Sequence, residues 1–213
     1  MHSVIFDVDG TLWDSTDVAA LAWQDTAKRC GVSGDHITGS RLKEEFGKLL
    51  PDIGISLFPD LPKDTAVTIA KKACDIENEY LRKYPVKVYP EVPELLCRLK
   101  EENVPVCIVS NCQTGYIEVL LETNGLMPYV CGFLSAGGTQ LPKADNIRLA
   151  AEKWQLPSPV YVGDTFGDYC ATKEAGLPFI FASYGFGSVP SPDGVIRSPL
   201  ELPEVLRQLQ HGC

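Results

Sequence analysis

Four short polar clusters in this chain carry the residue types that phosphoryl chemistry needs. "DVDGT" supplies Asp7, Asp9, Gly10 and Thr11; Ser110 and Asn111 stand side by side far downstream; Lys143 follows; and "GDTFGD" supplies Asp164 and Asp168. Four carboxylates in one pocket repel one another unless a cation or proton neutralises them, so Asp7, Asp9, Asp164 and Asp168 together predict a bound metal. Oxygen ligation without His or Cys favours Mg²⁺, which takes one or two carboxylates and completes its shell with waters and a substrate phosphate. The three histidines, His2, His36 and His211, lie outside these clusters. Backbone N–H groups at Gly10 and Thr11, read as free, join Ser110, Asn111 and Lys143 in a site for a dianionic phosphoryl group. Asp7 can then attack phosphorus to form an aspartyl-phosphate, while Asp9 protonates the leaving oxygen and later takes a proton from water.

Taken singly, each cluster has a plainer explanation. Asp and Gly favour turns, and Ser and Asn cap helices. A Lys at a helix start is ordinarily a surface charge, and Asp164 with Asp168 could cap and turn a Gly-containing loop. Their positions favour chemistry. The clusters follow short apolar runs at 3–7, 104–110, 130–135 and 159–163, the third by way of a glycine-bearing loop that leads to Lys143; a fifth run spans 178–182. These runs are too short for helices and are bounded by turn residues, so they read as buried strands. Helix-like segments at 91–102, 114–124, 143–154, 165–175 and 199–209 alternate with them. Strands buried on both faces and alternating with helices predict an α/β fold with a Rossmann-like, mostly parallel sheet. In such a sheet ligands bind just beyond the strand C-termini, where all four clusters fall.

Residues 15–84 contain no convincing strand. Segments 17–30 and 64–84 read as helices, the second with Ala66, Ile69, Ala73, Ile76, Tyr80 and Tyr84 on one stripe. About 70 residues is too long for a loop in a compact domain. The expectation is an inserted α-helical domain at 15–84, with residues 1–14 and 85–213 forming the core. Residues 12–15 lead out of the core, and Trp13 reads as packing at the domain junction. Within the insert, Arg41, Lys43 and Lys48 read as solvated charges or contacts to an anionic substrate, and Phe46-Gly47 as a specificity loop.

Composition narrows the field. Lys and Arg number 19 against 28 Asp and Glu, a formal net charge of −9, which repels a nucleic-acid backbone. No apolar stretch approaches the length of a membrane span, and the N-terminus lacks a basic segment followed by an apolar core, so the cytoplasm is the expected location. Eight scattered cysteines without C-x-x-C spacing read as reduced thiols rather than a disulfide framework or zinc site.

In their order, "DVDGT", "SN", the distant Lys143 and "GDTFGD" resemble the haloacid dehalogenase superfamily, and the match covers most of the chain outside 15–84. The resemblance implies that Asp7 is the nucleophile and Asp9 the general acid and base. It also implies that Mg²⁺ is held by the Asp7 side chain, the Asp9 backbone carbonyl and Asp164, with Asp168 supporting the metal's water shell. Ser110 and Lys143 would bind the phosphoryl group, with Asn111 beside them. The insert looks like the helical cap of the phosphoglycolate phosphatase and β-phosphoglucomutase branch. Metal-independent dehalogenation is disfavoured by Asp9 and Asp164. The expected activity is hydrolysis of a small phosphomonoester, phosphoglycolate-like or sugar-phosphate-like, with a phosphosugar mutase as the alternative and a phospho-acceptor signalling domain a more distant one.

Overall fold

Ser3–Phe6 form strand β1, an apolar run buried on both faces. Its burial is explained by its neighbours: Val4, Ile5 and Phe6 pair in parallel with Val106, Cys107 and Ile108 on one side and with Val160, Tyr161 and Val162 on the other. The computed structural model describes residues 2–211; Cys213 lies outside them. After β1 come four helices, α1 (Thr16–Arg29), α2 (Gly39–Lys43), α3 (Leu50–Leu57) and α4 (Lys63–Lys83). The chain then alternates: α5 (Val92–Glu101), β2 (Val106–Ser110), α6 (Tyr116–Thr123), β3 (Gly132–Ser135), α7 (Ala136–Thr139), α8 (Lys143–Lys153), β4 (Pro159–Gly163), α9 (Phe166–Ala175), β5 (Phe179–Ala182), β6 (Gly194–Ile196) and α10 (Leu202–His211).

The sheet is parallel throughout, in the order β3-β2-β1-β4-β5-β6. Alternation along each strand sorts its side chains between two apolar layers. Val4, Phe6, Val106, Ile108, Val160, Val162 and Ile180 enter the layer under α5, α6 and α10. Ile5, Cys107, Val109, Tyr161 and Phe179 enter the opposite layer with Ile147 and Ala150 of α8. This is the α/β architecture expected from the sequence, and the five expected strands are all present. A sixth, β6, was not expected. It has three residues at the sheet edge, with Val195 exposed, inside a stretch punctuated by Pro, Asp and Gly. Strand order reverses between β1 and β4, which opens a crevice at their C-terminal ends.

Helices α1 to α4 pack around an apolar cluster of their own, including Ala19, Trp23, Leu42, Ile53, Leu57 and Ala70. Helices α3 and α4 cross closely at Gly54, where a Cβ would meet the Ala66 carbonyl oxygen and the Ala70 Cβ at 2.9 Å each. The buried face of α4 differs from the stripe read from its sequence. Ala66, Ile69 and Ala73 are buried, but the face continues through Cys74, Glu77 and Leu81, whereas Tyr84 is exposed. A helix of 3.6 residues per turn supports both continuations from Ala73, and the one that places a carboxylate inside is the one adopted. Among the described residues no helix is long and apolar enough to cross a membrane.

Candidate active site

The β1–β4 pairing continues one residue past β1, where the Asp7 N–H donates to the Val162 carbonyl at 2.9 Å. That bond fixes the Asp7 backbone at the crevice. Its Oδ1 accepts from Lys143 Nζ at 2.8 Å, and the Tyr161 hydroxyl lies 3.4 Å from it while donating to the Val109 carbonyl at 2.7 Å. Lys143 is the first residue of α8 and is only 6% exposed. A cation there is disfavoured by the helix dipole, and its place is explained by the second carboxylate it meets, Asp168. Asp168 is also the capping-box residue of α9: its Oδ2 accepts from the Thr165 N–H at 3.0 Å and from the Thr165 hydroxyl at 2.7 Å. The cap and the site are thus the same side chain.

Asp164, fully buried after β4, accepts from the Phe186 N–H at 2.7 Å and from the Thr11 hydroxyl at 3.4 Å. Oxygens of Asp7, Asp164 and Asp168 lie within 4.8 Å of one another. Burial and the negative neighbour Asp168 push the Asp7 carboxyl up to about 6 despite Lys143. Burial, Asp168 and Asp7 push Asp164 up to about 8. Burial favours the neutral form of Lys143, but Asp168 and Asp7 outweigh it and hold the ammonium well above its ordinary range. Ionised together, three carboxylates against one ammonium leave excess negative charge in a buried site, and an all-oxygen donor set of this kind fits a hard divalent cation.

Asp9 does not join that group, which corrects the expectation of four side-chain carboxylates in one pocket. Its Oδ1 accepts from Tyr116 at 2.7 Å, Trp13 Nε1 at 3.0 Å and Ser15 at 3.2 Å. The Ser15 and Tyr116 oxygens also lie 2.6 Å apart, so with Tyr116 donating to Asp9 the single Ser15 proton is shared between Tyr116 and Asp9, and the Trp13 and Tyr116 rings meet edge to face. Burial holds the Asp9 carboxyl well above the carboxylate range, opposed by the Tyr116 hydrogen bond and aided by Asp7 and Glu77. Residues 12–15, read as a lead out of the core, therefore carry two of the three groups that orient Asp9. Trp13 is indeed buried, but it also donates. Tyr116, 107 positions away, left no local signal.

One phosphate-binding expectation also changes. The Gly10 and Thr11 amides are not free: they donate to Trp13 O at 2.9 Å and Val8 O at 3.2 Å, closing the turn that follows β1. Gly10 has φ +77°, and a Cβ there would lie 2.0 Å from Asp164 Oδ2. Gly10→Ala is expected to destabilise the fold by about 1–3 kcal/mol, read as a drop in thermal midpoint. Asn111 donates one N–H of its Nδ2 to the Gly47 carbonyl at 2.8 Å, which leaves the second N–H as a donor, while its buried Oδ1 has no partner among the described residues. Ser110, by contrast, is buried at the β2 C-terminus and lines a cavity of about 750 Å³ with Asp9.

That cavity lies between the strand ends and the helices of residues 16–83, with Trp23, Phe46, Leu50 and Glu77 on its far wall. Its walls are tied together by Asn111–Gly47, by Asn78 Nδ2 donating to Thr114 O at 2.9 Å, and by the Lys43–Asp14 ion pair at 2.6 Å. Of the three cations noted in the insert, Arg41 pairs with Glu45, Lys43 with Asp14, and Lys48, at the cavity wall, with Glu45 at 2.8 Å.

The profile of the haloacid dehalogenase-like hydrolases matches residues 4–182. A phosphoglycolate phosphatase of Neisseria meningitidis serogroup A is 28% identical, with 99% of this chain and 94% of that protein covered. One from Escherichia coli O157:H7 is 26% identical, covering 87% and 82%. The crystal structure of a predicted phosphatase from Clostridium acetobutylicum has the same fold, with a TM-score of 0.80 at 24% identity over 98% of this chain and 99% of that one.

Proposed function

The chain belongs to the haloacid dehalogenase-like hydrolase family, and on that premise we propose that this phosphoric monoester hydrolase is Mg²⁺-dependent and works through an aspartyl-phosphate on Asp7. The observation that carries the reading is the buried group of Asp7, Lys143, Asp164 and Asp168 at the β1/β4 crevice, beside a cavity that begins at Asp9. Residues 1–14 and 85–213 act as the catalytic core, and residues 15–84 as the cap that keeps bulk water from the phosphoryl group.

Lys143 holds Oδ1 of Asp7, which leaves Oδ2 to attack phosphorus. The new bond forms as the ester P–O bond breaks, and Asp9 gives its proton to the departing oxygen. Asp9, then a carboxylate, takes a proton from a water whose oxygen attacks phosphorus. The Asp7–phosphorus bond breaks, freeing phosphate and restoring both residues. Ser110 and Lys143 orient the nonbridging oxygens. Gly10 and Thr11 shape the turn that carries Asp9, and Asn111 holds the cap down at Gly47.

The cation would be held by the side chains of Asp7 and Asp164 and the backbone carbonyl of Asp9, with Asp168, whose Oδ1 meets Lys143 and whose Oδ2 caps α9, supporting its water shell. When bound, it supplies the positive charge that offsets repulsion between an anionic nucleophile and an anionic phosphoryl group. A panel of small phosphate esters assayed with and without Mg²⁺ tests the proposal. Phosphate release that stops on chelation is expected; release indifferent to divalent cations, or none from a folded protein, contradicts it. Isomerisation of a sugar phosphate without net phosphate release would make the enzyme a mutase.

Protons and the cation compete for the same oxygens. Asp7 and Asp164 titrate in the fold at about 6 and about 8, above their ordinary range, so the metal-free fold loses their stabilising contribution as pH rises through those values. A divalent cation bound there would supply the positive charge that the departing protons remove. The Mg²⁺-induced rise in thermal midpoint is therefore expected to grow from about pH 5 to about pH 8.5. A flat response in differential scanning fluorimetry would separate these carboxylates from the metal.

A further inference from the structure

Glu77 interrupts an otherwise apolar helix face. It is 3% exposed on α4, among Ile69, Ala70, Ala73 and Cys74, and faces the cavity that Asp9 also lines. Its Oε2 accepts from Trp23 Nε1 at 2.6 Å. Among the described residues no cation pairs with it: Lys48 is bound to Glu45, and the remaining cavity cation, Lys71, is exposed. Burial pushes its carboxyl up to about 7, opposed by the hydrogen bonds of Trp23 and Gln113. An apolar residue of similar size would pack here at lower cost, and a buried acidic group is retained against that cost where it has a partner to meet.

With its phosphoryl group at Asp7, a phosphate ester would extend its leaving group past Asp9 and Ser110 into this cavity, where Glu77 is the buried carboxylate facing it and the unpartnered Asn111 Oδ1 a second, uncharged acceptor. A carboxylate on that leaving group would face both Asp9 and Glu77. We infer that Glu77 selects esters whose leaving group carries a hydrogen-bond donor, a hydroxyl or an ammonium, and rejects a carboxylate such as that of phosphoglycolate. This rests on the phosphatase reading above. It also separates this chain from what the names of its relatives state, since those proteins are called phosphoglycolate phosphatases.

The test compares kcat/KM of the Mg²⁺-loaded full chain for glycerol phosphate, 2-aminoethyl phosphate, phosphoglycolate and p-nitrophenyl phosphate. The wild type is expected to favour glycerol phosphate or 2-aminoethyl phosphate over phosphoglycolate by about tenfold or more, as a charge-assisted hydrogen bond provides. The ester ranked first identifies the donor as hydroxyl or ammonium. Glu77→Gln keeps an acceptor for Trp23 but loses the charge. It is expected to lower the ratio of donor ester to phosphoglycolate by about tenfold, chiefly through KM, and more for the ammonium ester. Preference for phosphoglycolate in the wild type overturns the inference, even if the variant does not fold. An unchanged ratio in a folded Glu77→Gln, or hydrolysis of p-nitrophenyl phosphate alone, also overturns it. If none of the four esters releases phosphate, the phosphatase reading itself fails and the selectivity falls with it.

Discussion

Asp7→Asn is expected to lower kcat by at least about 10⁴-fold without unfolding the protein. The amide matches the carboxylate in shape, so the backbone bond to Val162 and the end of β1 are undisturbed, but it cannot serve as a nucleophile toward phosphorus. Stability should not fall with activity. Burial and Asp168 hold the Asp7 carboxyl at about 6, above its ordinary range, so its charged form is a net cost to the metal-free fold despite Lys143. Lys143 keeps Asp168 as a partner in the variant. The thermal midpoint without metal is therefore expected to stay level or rise at neutral pH, while the increment from Mg²⁺ shrinks. Steady-state kinetics and a melting curve on the same preparation check both halves. A variant that retains turnover removes Asp7 from the nucleophile role, and one that melts early makes its role structural.

Asp9→Asn is expected to cost about 10²- to 10⁴-fold in kcat, the usual range for a displaced acid or base. The side-chain oxygen that remains can still accept from Tyr116, Trp13 and Ser15, so orientation is preserved and proton transfer is lost. The loss should depend on the leaving group. An alkyl alkoxide needs a proton as it departs, whereas p-nitrophenolate does not. Formation of the phospho-enzyme from p-nitrophenyl phosphate is then expected to suffer least, seen as a burst of nitrophenol followed by slow turnover. Equal losses for alkyl and nitrophenyl esters in the burst phase would assign Asp9 to positioning alone.

The fold and the strand-end clusters were legible because both depend on local pattern. Runs of β-branched and aromatic residues ending in Asp, Ser or Gly mark a strand and its C-terminus at once, and parallel topology brings those ends together. That logic reached Asp7, Ser110, Asp164 and Asp168, and it made a Lys at the start of α8 stand out. It stopped where contacts are distant in sequence or where two periodicities compete. Tyr116 meets Asp9 only because α6 packs beneath the turn, and nothing near Tyr116 announces a carboxylate. On α4 the sequence supports two buried faces after Ala73, and choosing the more apolar one left Glu77 outside the cavity it lines. The Gly10 and Thr11 amides looked available because a turn's internal bonds depend on where Val8 and Trp13 fall in space. Edge strand β6 was too short to show a period.

The most direct test of the central claim is chemical trapping of the intermediate. The Mg²⁺-loaded enzyme is mixed with substrate, quenched in acid within the first turnover, digested, and searched by mass spectrometry for a phosphoryl group. Phosphorylation of the peptide that contains Asp7, labile to hydroxylamine and missing from Asp7→Asn, is the predicted result. Rapid phosphate release with no phosphopeptide, or a hydroxylamine-stable phosphoryl group on another residue, would contradict it.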